Sequence, residues 1–154
     1  MYHDSRPIEL PASVQRCPDC TATPLRLTDC GSSCPNHQDY TMDIVKFLAS
    51  KYPNRTMGLI ESTQDSVIRT FFGYGNNNCN AGFLPSMPAA TFTSGLLDAR
   101  TQIAGSTNFG SYLFPSTTHT TLGGAAFYTR TVNGTSLISW VTAAIGGSVT
   151  NVGP

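Results

Sequence analysis

The sequence predicts an α/β chain whose strands are too few to close a sheet of their own. Two short apolar runs, residues 56–60 and 109–114, each give way to a polar loop and then to residues with helical periodicity. A strand of a parallel sheet needs neighbours at its edges and cover on both faces, so two such βα steps read as part of a sheet. The missing strands are expected in the first 38 residues, in an upstream segment, or in a second chain.

Residues 1–38 carry repeated turn formers and no sustained periodicity, and they read as a cysteine-rich, irregular extension ahead of one partial domain over 39–154. From Asp39 or Thr41, either able to cap, TMDIVKFLASKY places Ile44, Val45, Phe47, Leu48 and Tyr52 on a broad helical face that Pro53 ends. A strand over 56–60, a loop over 61–64 and a helix starting at Asp65 or Ser66 follow. Residues 73–88 are a Gly/Asn/Pro-rich loop. ATFTSGLLDARTQIAG then gives a helix with Leu96, Leu97 and Ile103 inward despite Gly95. After the strand over 109–114, STTHTTLGG is irregular and contains His119. NGTSLISWVTAAIGG closes the order as a helix, with Leu137, Ile138, Trp140, Val141, Ala144 and Ile145 available for packing, Gly146 and Gly147 stopping it, and an extended tail beyond.

Nine basic and nine acidic residues cancel, and no Lys/Arg stripe replaces the counterions of a nucleic-acid backbone, so nucleic-acid binding is not expected. Charged residues make up only 12% of the chain, about half the usual share, and the polar but uncharged surface this leaves suits an extracellular protein or part of a larger assembly. No apolar run approaches the roughly 20 residues of a membrane span, and MYHDSRPIEL lacks the features of a signal peptide, as a mature secreted chain would. Two glycosylation triplets begin at Asn54 and Asn133. Cys17, Cys20, Cys30 and Cys34 crowd the first quarter, and Cys79 stands apart. Disulfides in an oxidising compartment are the first reading of the four, and a four-thiolate zinc knuckle is the competing one.

The chemistry that the residues suggest is acid–base. Of His3, His37 and His119, the last follows the final strand and precedes the final helix, where the general base of an α/β hydrolase sits. Asp65 stands just beyond the C-terminal end of the first strand, the edge at which open α/β sheets bind ligands. It would hold the imidazole tautomer and stabilise the imidazolium. The plainer readings are a helix-capping aspartate and a solvent-facing loop histidine. No nucleophile completes the set. Ser32 and Ser33 lie between cysteines without a preceding strand, Ser94 and Ser106 follow Asp65 and lack the G-x-S-x-G elbow, and Cys79 is as well suited to a disulfide.

From CPDC to its end the chain resembles the C-terminal part of the pectin acetylesterase and Notum-like family of α/β hydrolases. The likeness is carried by ESTQDSVIRTFFGYG, NFGSYLFPSTTH and GTSLISWVTAAIGG. It implies the C-terminal portion of an α/β-hydrolase-like sheet with flanking helices, from a secreted, disulfide-bonded serine esterase that removes small acyl groups from a carbohydrate or protein without a cofactor or metal. Asp65 in TQDSVIR then matches the triad acid, and His119 in PSTTH the triad histidine. The serine, its elbow glycines and the oxyanion loop have no counterpart, so the resemblance implies a partner chain or upstream segment that delivers them. A non-catalytic extracellular structural or assembly protein is the alternative that the low charge and incomplete triad suggest.

Overall fold

The computed structural model describes residues 40–72 and 86–154. The chain runs through helix α1 (Tyr40–Lys51), strand β1 (Met57–Ser62), helix α2 (Ser66–Phe72), helix α3 (Ala89–Ile103), strand β2 (Phe109–Phe114), a one-turn helix α4 (Ala126–Thr129), the short strands β3 (Thr131–Val132) and β4 (Thr135–Ser136), and helix α5 (Leu137–Ile145). An α/β class is therefore observed. The extension over 1–38, its four cysteines, Cys79, His3, His37, Ser32 and Ser33 lie outside the described residues.

β1 and β2 are parallel and in register from Met57 opposite Phe109 to Ser62 opposite Phe114. The first strand is longer than its apolar run suggests: Glu61 and Ser62, expected in the loop, continue the ladder against Leu113 and Phe114. The tail adds a third line to the sheet, with the Leu113 amide donating to Val152 O (2.9 Å) and the Val152 amide to Ser111 O (2.7 Å). Among the described residues the outer edge of β1 has no partner.

Strand alternation sorts the side chains onto two faces. On one, Leu59 and Leu113 pack with Met87, Phe92 and Leu96, and Met57 and Phe109 meet the cluster of Met42, Val45, Ala49, Ala99 and Ile103 that joins α1 to α3. On the other, Ile60, Tyr112 and Phe114 meet Leu137 and Trp140 of α5. The sheet is thus covered on both faces, each buried large side chain contributing about 1.5–3 kcal/mol. Gly58 makes the second contact possible, because a Cβ there would sit 2.6 Å from Cη2 of Trp140. The indole Nε1–H donates to Thr150 O (2.9 Å) and the Tyr112 hydroxyl to Thr135 O (2.8 Å), so both buried polar tips are satisfied.

Two helix faces differ in detail from the periodicity. In α1, Met42 and Ala49 are buried with Val45, whereas Tyr52, just beyond the helix, is exposed; in α5, Leu137 and Trp140 are buried, whereas Ile138 and Ile145 face outward. The closing helix also starts four residues later than expected. Asn133 (φ 48°) and Gly134 (φ 77°) form the two-residue turn between β3 and β4, the left-handed pair that a tight hairpin requires. Ser136 then caps α5, its Oγ accepting from the Ser139 amide (3.2 Å). Asn54 and Asn133, the two sequon asparagines, are both exposed.

Candidate functional site

β1 and β2 end side by side, and the loops that leave them are sewn together. The Thr63 amide donates to Phe114 O (2.9 Å), that of Gln64 to Ser116 O (3.1 Å) and that of Ser66 to Thr117 O (3.1 Å), so the parallel ladder continues beyond the strands. The buried Ser62 hydroxyl adds a bond to Thr118 O (2.7 Å), and Ser66 Oγ adds one to Thr117 O (3.0 Å). These bonds fix the chain as it enters His119. Thr120 follows in a left-handed conformation (φ 58°), which costs a β-branched residue about 1–2 kcal/mol and turns the loop away directly after the imidazole.

Asp65 comes out of the tight turn at the end of β1, where its amide donates to Ser62 O (3.2 Å). Its Oδ1 accepts from the amides of Val67 (2.9 Å) and Ile68 (2.8 Å), the first free donors of α2. Its Oδ2 lies 2.9 Å from Nδ1 of His119. The capping role and the histidine-binding role, alternatives in the sequence, belong to different oxygens of one carboxylate. Asp65 is buried and fully bonded, whereas the His119 side chain is 39% exposed. The carboxylate is therefore fixed from one side by backbone and presents a fixed acceptor to a ring that meets solvent.

Sequence reasoning missed a third group. Glu61 is half-buried near the end of strand β1, four residues before Asp65, with Oε1 accepting from the Ser62 amide (2.8 Å). Burial, followed by the Asp65 charge, pushes its carboxyl up to about 7. His119 acts in the opposite direction. The signal in the sequence was the pair of acids at either end of ESTQD.

With Asp65 ionised, Nδ1 of His119 carries the proton and Nε2 keeps its lone pair on the side away from the carboxylate. The arrangement can accept a proton at Nε2 and stabilise the resulting imidazolium. No serine among the described residues bonds to that ring: Ser62 and Ser66 are turned to loop carbonyls, and Ser94 is exposed on α3. Among the described residues no group of three His, Cys, Asp or Glu side chains is arranged to hold a metal ion, and no helix is long and apolar enough to cross a membrane. In comparisons with known proteins, no family model, no curated protein and no solved structure matches the chain.

Proposed function

We propose that the chain is the C-terminal portion of a serine carboxylic-ester hydrolase of the pectin acetylesterase and Notum-like kind, supplying the acid and histidine of the triad. The observation that carries this reading is the 2.9 Å bond between Asp65 Oδ2 and His119 Nδ1, made at adjoining strand ends. Asp65 precedes His119 in the chain, the order of α/β hydrolases.

In this reading a serine delivered by an upstream segment or second chain loses its proton to Nε2 of His119 as its oxygen attacks the ester carbonyl. Asp65 stabilises the imidazolium, and the proton then passes to the leaving alcohol. Water attacks the acyl-enzyme by the same route, and no cofactor takes part. Amides of the delivering segment hold the oxyanion. The outer edge of β1, unpaired among the described residues, supports a further strand there, and Val67 and Phe71, exposed one turn apart on α2, offer apolar surface to cover. The substrate class is a carbohydrate bearing small acyl esters, and the setting is extracellular, with disulfides in the cysteine-rich segment and glycans on the exposed sequons.

The test is hydrolysis of p-nitrophenyl acetate and of an acetylated polysaccharide by the chain together with whatever co-purifies with it. Activity that falls by about 10³-fold or more in His119→Ala is expected. Turnover unchanged by that substitution contradicts the reading, and absence of turnover in a folded assembly favours the non-catalytic assembly role.

A further inference from the structure

Ser62 is buried at the end of β1, opposite Phe114, and a hydroxyl withdrawn from water costs free energy unless it is bonded. All three of its polar groups are engaged. Its amide donates to Glu61 Oε1 (2.8 Å). Its carbonyl accepts from the Asp65 amide (3.2 Å), and its hydroxyl donates to Thr118 O (2.7 Å). Thr118 O belongs to the planar peptide unit that also contains the nitrogen and Cα of His119, so a bond to that oxygen fixes the rotation of the plane from which the imidazole hangs. One buried residue therefore ties the backbone of the acid to the backbone of the histidine.

We infer that Ser62 is a positioning residue for the Asp65–His119 pair: its carbonyl sets the turn into Asp65 and its hydroxyl sets the peptide plane ahead of His119, so that Oδ2 and Nδ1 meet at 2.9 Å. The inference rests on the proposed role of the pair for its effect on turnover, but the bonds it describes belong to this chain alone. Ser66 provides the contrast. Its hydroxyl donates to Thr117 O (3.0 Å) from an exposed position, and its own amide already holds the same oxygen (3.1 Å), so that hydroxyl is redundant. Among the described residues the Ser62 hydroxyl alone holds Thr118 O. Thr118 is exposed, so water can take over its carbonyl when the hydroxyl is removed. The fold then keeps no buried unpaired acceptor, whereas the histidine loop loses its anchor.

Exchange of the Nδ1–H proton of His119 with water, followed by NMR in the full chain, reads the pair directly. The Leu113 amide, which donates to Val152 O on the far side of β2 (2.9 Å), reads the stability of the sheet in the same sample. Ser62→Ala is expected to speed exchange at Nδ1–H by about fivefold, the factor that one hydrogen bond of ordinary strength supplies, and to leave the Leu113 amide unchanged. Ser62→Thr restores the hydroxyl and returns Nδ1–H to the parent rate, and Ser66→Ala leaves both protons at the parent rate. Equal acceleration of both protons in Ser62→Ala makes the hydroxyl a purely structural group and overturns the inference. An Nδ1–H rate unchanged in Ser62→Ala, or raised as much in Ser66→Ala, overturns it too. If the added methyl of Ser62→Thr unfolds the chain, the contrast between the two alanine variants decides.

In an assembly that turns over an ester, Ser62→Ala is expected to lower kcat by a similar factor with KM unchanged, because the buried hydroxyl acts through His119. A loss confined to KM overturns the positioning role. The exchange measurement uses neither a nucleophile nor an ester, so failure of the inference is distinct from failure of the hydrolase reading: the first shows as an unmoved Nδ1–H rate, the second as an assembly without turnover.

Discussion

Replacing Asp65 separates two functions that its carboxylate performs with different oxygens. In Asp65→Ala the amides of Val67 and Ile68, which now donate at 2.9 and 2.8 Å, lose their acceptor at the start of a helix of only seven residues. Loss of a capping side chain costs about 1 kcal/mol and up to about 2 in unfavourable cases. Loss of a charge-assisted bond to a partly exposed histidine adds about 1 more, so a total of about 2–3 kcal/mol is expected. Asp65→Asn keeps a carbonyl oxygen for both amides and should cost about 1 kcal/mol or less. Its amide nitrogen, however, would face Nδ1 of His119 as a donor and force the imidazole proton onto Nε2, the wrong tautomer for a base. Urea denaturation of the two variants beside the parent gives the stabilities, and ¹⁵N spectra of the imidazole give the tautomer. Equal destabilisation by Ala and Asn, or an unchanged tautomer in Asn, refutes the division of labour between Oδ1 and Oδ2.

The raised Glu61 carboxyl makes stability pH-dependent with a definite sign. Its folded value of about 7 lies above the ordinary 4.5, so the folded state binds the extra proton and stability falls as pH rises from about 4.5 to about 7; the loss is on the order of 1–2 kcal/mol after allowance for screening. Denaturant titrations across that range should show the slope, and Glu61→Gln should remove it; a slope that persists in Gln assigns it elsewhere. Gly58→Ala drives a methyl to within 2.6 Å of the buried Trp140 ring and should cost about 1–3 kcal/mol as overpacking. An unchanged denaturation midpoint would show that Trp140 does not sit on β1. The Asn108 side chain donates to the carbonyls of Ala49, Tyr52 and Arg55, closing the end of α1 onto the entrance of β1, so Asn108→Ala should cost about 1–3 kcal/mol. Stability unchanged in that variant would mean that solvent replaces those bonds at no cost.

The parts of the fold that were legible in the sequence are those where one physical signal dominates. The apolar run over 109–114 is a strand with both faces covered, and Leu96 and Ile103 of α3 pack where their spacing puts them. Asp65 and His119 were legible as a pair only because each follows a strand, and parallel strands bring their C-terminal ends together. The end of β1 was not legible, because Glu61 and Ser62 are polar and their place in the strand is dictated by pairing with Leu113 and Phe114. Glu61 was missed as a site residue for the same reason. The start of α5 was misplaced because NGTS was read as a helix entrance, whereas Asn133-Gly134 forms a hairpin turn and Ser136 is the cap. Ile145 fits the helical period but is 84% exposed among the described residues, because Leu137 and Trp140, with Val141 and Ala144 packed beside them, are the residues of α5 that meet the sheet cluster.

The most direct test of the central claim is labelling with a serine-reactive fluorophosphonate, applied to the chain as purified from its source with its co-purifying partners, followed by mass spectrometry of every labelled peptide. Label is expected on one serine in an upstream segment or partner chain, abolished by His119→Ala and strongly reduced by Asp65→Asn. Label that survives His119→Ala, or no label in an assembly where this chain is present and folded, would contradict that claim.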